Sequence, residues 1–347
     1  MIAAAVAAAL IPLPAPLVEK FYSSTAYPRL QTTLTTASNQ VPFALLDGLI
    51  VLAAFWWLLM IAAELGRPAG WGARTASVAA RTITGAATLF LLFLACWGLN
   101  YRRVPLAQKL EFDAHRVSQA GVVALAGETV RQLNALHGPA HAGGWSHANA
   151  ADPALVDAFV RALRDVGLPP ARAGNPKHSL LDLYFRRAGV SGMTDPFFLE
   201  TLVTSGLLPF ERPFVIAHEW MHLAGVTDEG EANFLGWLAC LRGGPRHRYS
   251  AWLFLYDELR GALDRSVALS LAGRLEPGPR ADLDAIRRRL KSQISPPVAS
   301  AALRVYDQYL KANRVAAGTA SYGEVVRLLL GVRFTGDWRP TLRSRAE

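Results

Sequence analysis

The 347-residue chain is poor in charged side chains, which make up 18% of its residues, whereas 52% are hydrophobic. It contains no Walker phosphate loop, no dinucleotide-binding glycine fingerprint and no pattern of interleaved aromatic and basic residues. We therefore expect neither a nucleotide-binding fold nor a nucleic-acid partner, although the formal net charge is +9. The mean hydropathy of +0.20 is high for a soluble domain and favours a protein with membrane segments.

Cysteine is also scarce, with two residues in the whole chain. Cys96 lies in an apolar stretch and Cys240 lies far downstream in a predicted helix, so a disulfide between them is not expected. Neither cysteine has the spacing of a zinc ligand. Any metal site must therefore use histidine and carboxylate ligands.

Long apolar runs are concentrated near the N-terminus. Residues 41–63 and 83–99 are each about long enough to cross a hydrocarbon core of roughly 30 Å. Residues 2–18 are apolar too, but they contain three prolines and lack the positive start of a secretory signal. The pattern predicts two to three transmembrane helices within residues 1–109, followed by a second domain at 110–347.

The charges beside these runs predict an orientation in a cell membrane. Arg67, Arg74 and Arg81 lie between the second and third runs, opposed there only by Glu64. Because positive residues favour the cytoplasmic side, the loop between the second and third runs is expected in the cytoplasm. The third run then crosses the membrane, so the second domain of this multi-pass membrane protein is expected outside the cytoplasm. Basic residues just after the third run, at 102, 103 and 109, argue for the opposite orientation.

The most specific motif is HEWMH at residues 218–222. On a helix, His218 and His222 are four residues apart, so both imidazoles leave the same face and can bind one metal ion. Glu219 lies close enough to hold and deprotonate a water at that ion. Gly225 follows where such a helix would end. Two imidazoles and a carboxylate suit Zn²⁺ best, so the motif predicts a catalytic zinc site.

A third protein ligand is expected among the acidic residues that follow, Asp228, Glu229 and Glu231. The segment EGEAN resembles the ExxAD motif of membrane-embedded metallopeptidases of the CaaX-processing type. This resemblance implies Glu229 as the ligand and Asn233 as the residue that orients a ligand histidine. The string HEWMHLAGVTD is also similar to a metzincin-type motif with Asp228 at its third position. Glu231 is the candidate if the second helix begins late, and we rank Glu229, Glu231 and Asp228 in that order.

Beyond the membrane region, helical periodicity predicts a mainly α domain, and we find no internal repeat. Residues 190–209 contain short apolar pieces that could form a strand beside the HEWMH helix and pair with a substrate backbone. Residues 137–151 have the composition of a loop. The histidines within this loop, His137, His141 and His147, have looser spacing than usual zinc ligands and are interpreted as bystanders.

Strings along almost the whole chain resemble the bacterial domain-of-unknown-function family 3810. They include SNQVPFALLDGL at 38–49, WGLNYRRVPLAQKL at 97–110, and PFVIAHEWMHLAGVTDEGEANFLGWLAC at 213–240. Similar strings occur late in the chain, at 249–253 and 306–330. The resemblance implies an integral membrane protein whose N-terminal spans precede a helical, zincin-like metallopeptidase domain.

The motif predicts a gluzincin-like hydrolase in which Glu219 is the general base for a protein or peptide substrate. Tyr249, His247, Tyr322 and, more weakly, Arg248 are candidate donors to the oxyanion. Membrane lipids are the other expected partner, and the sequence indicates no oligomeric state. A zinc hydrolase for non-peptide substrates and a non-catalytic, zinc-stabilised membrane scaffold stay open as alternatives.

Overall fold

A computed structural model describes residues 1–145, 150–313 and 324–343 of the chain. The helices are α1 (Ile2–Leu10), α2 (Ala15–Leu17), α3 (Tyr27–Asn39), α4 (Leu45–Leu65), α5 (Trp71–Cys96), α6 (Leu106–Lys109), α7 (Gln119–His141), α8 (Pro153–Asp165), α9 (Asp182–Ala188), α10 (Arg212–Leu223), α11 (Glu229–Leu241), α12 (Pro245–Gly261), α13 (Arg265–Gly273), α14 (Pro277–Gln293), α15 (Pro296–Ala312) and α16 (Glu324–Gly331). The strands are β1 (Pro176–Lys177), β2 (Gly192–Thr194), β3 (Thr201–Val203), β4 (Phe334–Thr335) and β5 (Arg339–Pro340). The predicted mainly α fold is confirmed.

Two helices, α4 and α5, are long and apolar enough to cross a membrane. Most of their large apolar side chains are exposed, which is stable in lipid and unfavourable in water. The predicted spans 41–63 and 83–99 are therefore confirmed in place, but α5 begins twelve residues before the predicted start. Arg74 and Arg81 lower the hydropathy of that first part without ending the helix, because arginine is a good helix former.

The N-terminal run is not a straight helix. The chain bends by 111° between α1 and the helical stretch Ala15–Asn39, at a break that contains prolines. Within that stretch a π-helix, Val18–Ala26, joins α2 to α3. The described part of the chain therefore has two candidate spans, or three if this bent pair counts as one broken span.

The helix α3 packs against residues of the predicted second domain, although it precedes the two long spans. Its Tyr27 is buried and donates to the backbone oxygen of Leu223 at 2.8 Å. Gln31, equally buried, donates to the backbone oxygen of Arg172 at 2.8 Å. Hydrogen bonds and burial therefore join α3 to residues on the far side of the predicted boundary at residue 109, which stays a prediction.

Three helices form the centre of the second domain. Trp220 of α10, Trp237 of α11 and Trp252 of α12 are fully buried, and the last two rings meet edge to face at 5.3 Å. A small sheet of order β1-β3-β2 lies against α10, with β3 parallel to β1 and antiparallel to β2. A second pair, β4 and β5, is antiparallel. This packing places α10 between a sheet and two helices.

Two boundaries within the domain also differ from prediction. Helical periodicity over 257–271 predicts one helix there, but the chain forms α12 and α13 with a break between Gly261 and Arg265. The predicted loop over 137–151 begins too early, because α7 continues to His141. His147 lies outside the described residues. A run of Gly, Ala and His is typical of loops, yet packing against α12 keeps the last turn of α7 helical.

Candidate metal centre

The structure brings His218, His222 and Glu229 together at the junction of α10 and α11. The two histidine Nε2 atoms are 3.1 Å apart. Glu229 Oε2 lies 3.3 Å from Nε2 of His218 and 3.5 Å from Nε2 of His222. A tetrahedral zinc ion with bonds of about 2.1 Å has ligands about 3.4 Å apart, so the three atoms fit three corners of such a site.

Local sequence features position these ligands. Gly225 adopts a φ of +81°, which ends the chain's path along α10 and turns it toward α11. Asp228 then accepts from the backbone N–H of Glu231 at 3.0 Å and caps α11. Gly236 lets the two helices approach, since a Cβ there would lie 3.0 Å from His218 Cα. The first residue of α11, Glu229, is thereby held against the histidine face of α10.

Neighbouring groups orient two of the three candidate ligands. His222 Nδ1 lies 2.7 Å from the backbone oxygen of Val226, so the proton of a neutral ring lies on Nδ1 and leaves Nε2 free to bind an ion. Tyr306 of α15 donates a short hydrogen bond to Glu229 Oε1, on the carboxylate oxygen that does not face the histidines. Within the described residues, the buried Nδ1 atom of His218 has no partner.

The charges of the group depend on one another. Burial by itself would raise the pKa of Glu229, but the two histidines beside it hold that pKa well below its usual range. Burial likewise disfavours a charged His222, yet the adjacent carboxylate raises the pKa of His222 to about 9. Glu229 is therefore ionised at neutral pH, as a carboxylate ligand must be.

Glu219 lies between strand β2 and the group of His218, His222 and Glu229, which we call the metal group. Its Oε2 accepts from the Thr194 hydroxyl at 3.0 Å, and the same hydroxyl contacts the backbone oxygen of Glu219 at 2.9 Å. Burial raises the pKa of Glu219, an effect that the nearby histidines oppose. Gly192 makes room for this side chain, since a Cβ at residue 192 would lie 2.6 Å from Glu219 Oε1.

Of the three acidic candidates for the third ligand, Glu229 alone reaches the histidines. Glu231 Oε1 instead accepts from the backbone N–H of Leu106 at 2.5 Å, and Asp228 caps the helix. Glu231 was the candidate only if the second helix began late. Because α11 begins at Glu229, two residues earlier, the side chain of Glu231 is turned away from the histidines. Asn233 is buried one turn after Glu229, but no described hydrogen bond joins it to either histidine.

The predicted oxyanion donors lie elsewhere. Tyr249 donates to Asp282 at 2.6 Å, and His247 Nε2 lies 2.9 Å from Asp152. Arg248 donates to a backbone oxygen at the end of α11. All three lie near the start of α12, and their partners lie outside the HEWMH helix. The fourth candidate, Tyr322, lies outside the described residues.

Two residues of the group were not singled out from the sequence. Thr194 lies within 190–209, the segment that could form a strand beside the motif, and β2 is such a strand. Tyr306 is 77 residues from Glu229 in the chain and carries no motif. A regular helical position in α15 gives no local signal that its hydroxyl reaches the metal group.

Comparison with known proteins yields one family. No curated protein and no solved structure matches the chain. A family model described as a protein of unknown function, DUF3810, matches residues 22–330, which cover the two long spans, the metal group and α15. The chain therefore belongs to the DUF3810 family.

Proposed function

We propose that this protein is a membrane-anchored zinc metallopeptidase of the HExxH type. The observation that carries the proposal is the triangle of His218, His222 and Glu229, whose edges of 3.1, 3.3 and 3.5 Å match a tetrahedral zinc site. Glu219 beside this triangle is the second element, since a purely structural zinc site has no use for it. A bound zinc ion would supply a Lewis acid that polarises a scissile carbonyl and acidifies a water.

The residues of the chain perform the proton transfers. Glu219 is the group that takes a proton from the attacking water and returns it to the leaving amine. Thr194 holds one carboxylate oxygen of Glu219, Oε2, which leaves the other oxygen, Oε1, to take and return the proton. The buried setting favours the protonated form of Glu219 that the second half of the reaction requires.

The position of β2 favours a peptide as the substrate. β2 is an edge strand of the three-stranded sheet, paired with β3 on one side. An extended peptide can pair with the free side of an edge strand through main-chain hydrogen bonds. Because Thr194 of β2 contacts Glu219, a peptide bound along β2 would present its backbone beside the general base.

We further propose that the metal centre lies outside the cytoplasm, in a multi-pass protein of the cell membrane. Asp47 in the first turn of α4 accepts from Ser179, and Trp97 after α5 donates to the backbone oxygen of His222 at 2.9 Å. Both domain-side ends of the hairpin α4–α5 are therefore attached to the second domain. The opposite end carries the arginines that favour the cytoplasm, whereas Arg103 and Lys109 are paired with Glu19.

The proposal is tested with purified full-length protein in detergent. We expect about one tightly held zinc at this centre, lost in His218→Ala and Glu229→Ala and retained in Glu219→Gln and the control Glu231→Gln. Membranes of cells carrying the wild type or Glu219→Gln are then compared by labelling new protein N-termini. New N-termini that appear with the wild type and are missing with Glu219→Gln support a peptidase.

Three other results contradict this proposal in different ways. A wild type that binds no zinc at His218 removes the basis of the hydrolase. Zinc binding with identical N-termini in wild type and Glu219→Gln indicates a scaffold. Hydrolysis of ester or amide test compounds that needs Glu219, without new N-termini, indicates a hydrolase for non-peptide substrates.

A further inference from the structure

A second group of metal-binding side chains lies apart from the HEWMH helix. His137 and His141 of α7 meet Asp282 of α14, and one ligand atom from each lies within 4.8 Å of the others. Asp282 Oδ2 is 2.9 Å from His141 Nε2 and 3.6 Å from His137 Nε2. No residue is shared with the first group, which is built from α10 and α11.

The spacing on the two helices is suited to one ion. His137 and His141 are four residues apart, so their rings leave the same face of α7, and the ring centroids are 4.3 Å apart. Gly278 lies four residues before Asp282 on α14 and faces the His137 ring. A Cβ at residue 278 would lie 2.4 Å from the His137 ring, so glycine there makes room for the imidazole.

The surroundings of Asp282 hold its carboxylate in place for such a role. The Tyr249 hydroxyl donates to Oδ2 of Asp282 at 2.6 Å, the same oxygen that both imidazoles face. Two imidazole nitrogens converging on one carboxylate oxygen, which a neighbouring hydroxyl orients, form the donor set of a divalent-metal site. The histidine side chains are 29% and 32% exposed, so an ion can enter from solvent.

One contact competes with the ion. The Trp145 indole N–H donates to His141 Nδ1 at 3.3 Å, which assigns the proton of a neutral ring to Nε2. Binding through Nε2 moves that proton to Nδ1 and breaks the contact with Trp145. This competition, together with the longer 3.6 Å edge at His137, makes the group a weaker site than the one at His218.

We propose that His137, His141 and Asp282 form a second site, for a divalent transition-metal ion such as zinc, that ties α14 to α7. The ion would replace the imidazole protons at Asp282 and bridge helices from two distant parts of the chain. The proposal does not depend on the hydrolase, because it concerns another ion in other ligands.

The test measures metal content and thermal stability of full-length protein in detergent. Protein stripped with a chelator receives zinc, free zinc is removed, and bound zinc per chain is determined by mass spectrometry. We expect two zinc ions in the wild type, one in His141→Ala, one in His218→Ala and two in the exposed control His115→Ala. Zinc should also raise the melting temperature of the stripped wild type more than that of His141→Ala. In the wild type, the zinc that depends on His141 should be removed first by chelator.

Asp282→Asn provides a second variant, since it preserves the side-chain shape and an acceptor for Tyr249. Its circular dichroism spectrum should match the wild type while one zinc is lost. A wild type with one zinc that persists in His141→Ala and in folded Asp282→Asn overturns the second site. A wild type that binds one zinc, lost in His141→Ala but kept in His218→Ala, supports the second site and overturns the first. A wild type that binds no zinc overturns both sites.

Discussion

At the residue scale, the candidate metal centre depends on which partner each of three neighbouring carboxylates binds. Asp228 caps α11 and Glu231 binds the backbone of Leu106, which leaves Glu229 for the histidines. Tyr306 then holds the second oxygen of Glu229. A hydrogen-bond partner that orients a ligand contributes to metal affinity in addition to the ligand itself.

Removing the hydroxyl of Tyr306 should therefore weaken zinc binding. We expect Tyr306→Phe to lower zinc affinity by roughly 10- to 100-fold, because Glu229 loses the hydrogen bond that orients it. The measurement is competition with a chromophoric chelator. Tyr309→Phe is the matched control, since Tyr309 stacks on Tyr306 at 5.9 Å without an observed bond to Glu229. Equal affinities in the two variants would contradict this role of Tyr306.

Glu258 of α12 should make stability depend on pH. Burial and the neighbouring Asp257 raise the pKa of Glu258 from 4.5 to about 7. The folded state therefore binds a proton more tightly than the unfolded state, and stability is lost as pH rises from about 4.5 through 7. The loss from this residue is on the order of 2–3 kcal/mol.

The variant Glu258→Gln should remove this part of the loss, so that the gap in melting temperature between pH 5 and pH 8 narrows. Glu276→Gln is the control, because the Glu276 side chain is exposed and is not among the groups that raise the pKa of Glu258. A gap that Glu258→Gln leaves as wide as in the wild type would show that Glu258 ionises normally.

At the element scale, the contact between β2 and α10 decides where Glu219, the proposed general base, lies. The strand is anchored through β3 to Glu200, whose carboxylate binds Lys177 at 2.5 Å in a fully buried pair and accepts from the backbone of Leu46 in α4. Buried pairs of this kind hold elements in one arrangement, since either charge alone would be costly. The sheet, the first long span and α10 therefore form one connected unit.

A methyl group between β2 and α10 should disturb this arrangement locally. We expect Gly192→Ala to lower peptide hydrolysis at least about tenfold while zinc binding persists, because its Cβ would meet Glu219 Oε1 and move the carboxylate. Activity and zinc content are measured on the same preparation. Gly127→Ala is the control, as a Cβ there meets nothing within 4 Å. Full activity in Gly192→Ala would mean that Glu219 need not keep this position.

At the scale of the whole molecule, the candidate metal centre is attached to the membrane part rather than carried on a free domain. Tyr27 and Trp97 each donate to a backbone oxygen at the end of α10, and Arg103 donates to the next turn at Gly225. These donors come from segments on both sides of the hairpin α4–α5. The end of the HEWMH helix therefore lies beside the segment that leaves α5.

This attachment predicts that the two ends of the hairpin label from opposite sides of the membrane. Single cysteines at Ala69, in the tip, and at Arg274, in the second domain, are introduced after Cys96 and Cys240 are replaced by alanine. An impermeant maleimide added to intact cells should label residue 274, and residue 69 only after lysis. Labelling of both positions in intact cells would contradict a hairpin that spans the membrane.

Local patterns carried much of the fold and part of the metal centre. The apolar runs identified α4 and α5 because lipid-spanning length is a property of a continuous segment. The HEWMH spacing identified His218, Glu219 and His222 because helical geometry acts over four residues. The same local reasoning could not place Tyr249 or His247, whose partners lie on other helices.

The amino-acid sequence by itself therefore determined the membrane segments, the helical class and the core of the metal motif. The sequence ranked Glu229 first among three carboxylates, and the tertiary structure showed that Glu229 is the one beside the histidines. Only the tertiary structure showed that Tyr306 binds Glu229, that Thr194 binds Glu219, and that α3 packs against residues beyond the long spans. It also decided that His141 meets Asp282, 141 residues away along the chain. Contacts at such separations depend on which helices pack together. The spacing of the joined residues along the chain carries no signal of that pairing.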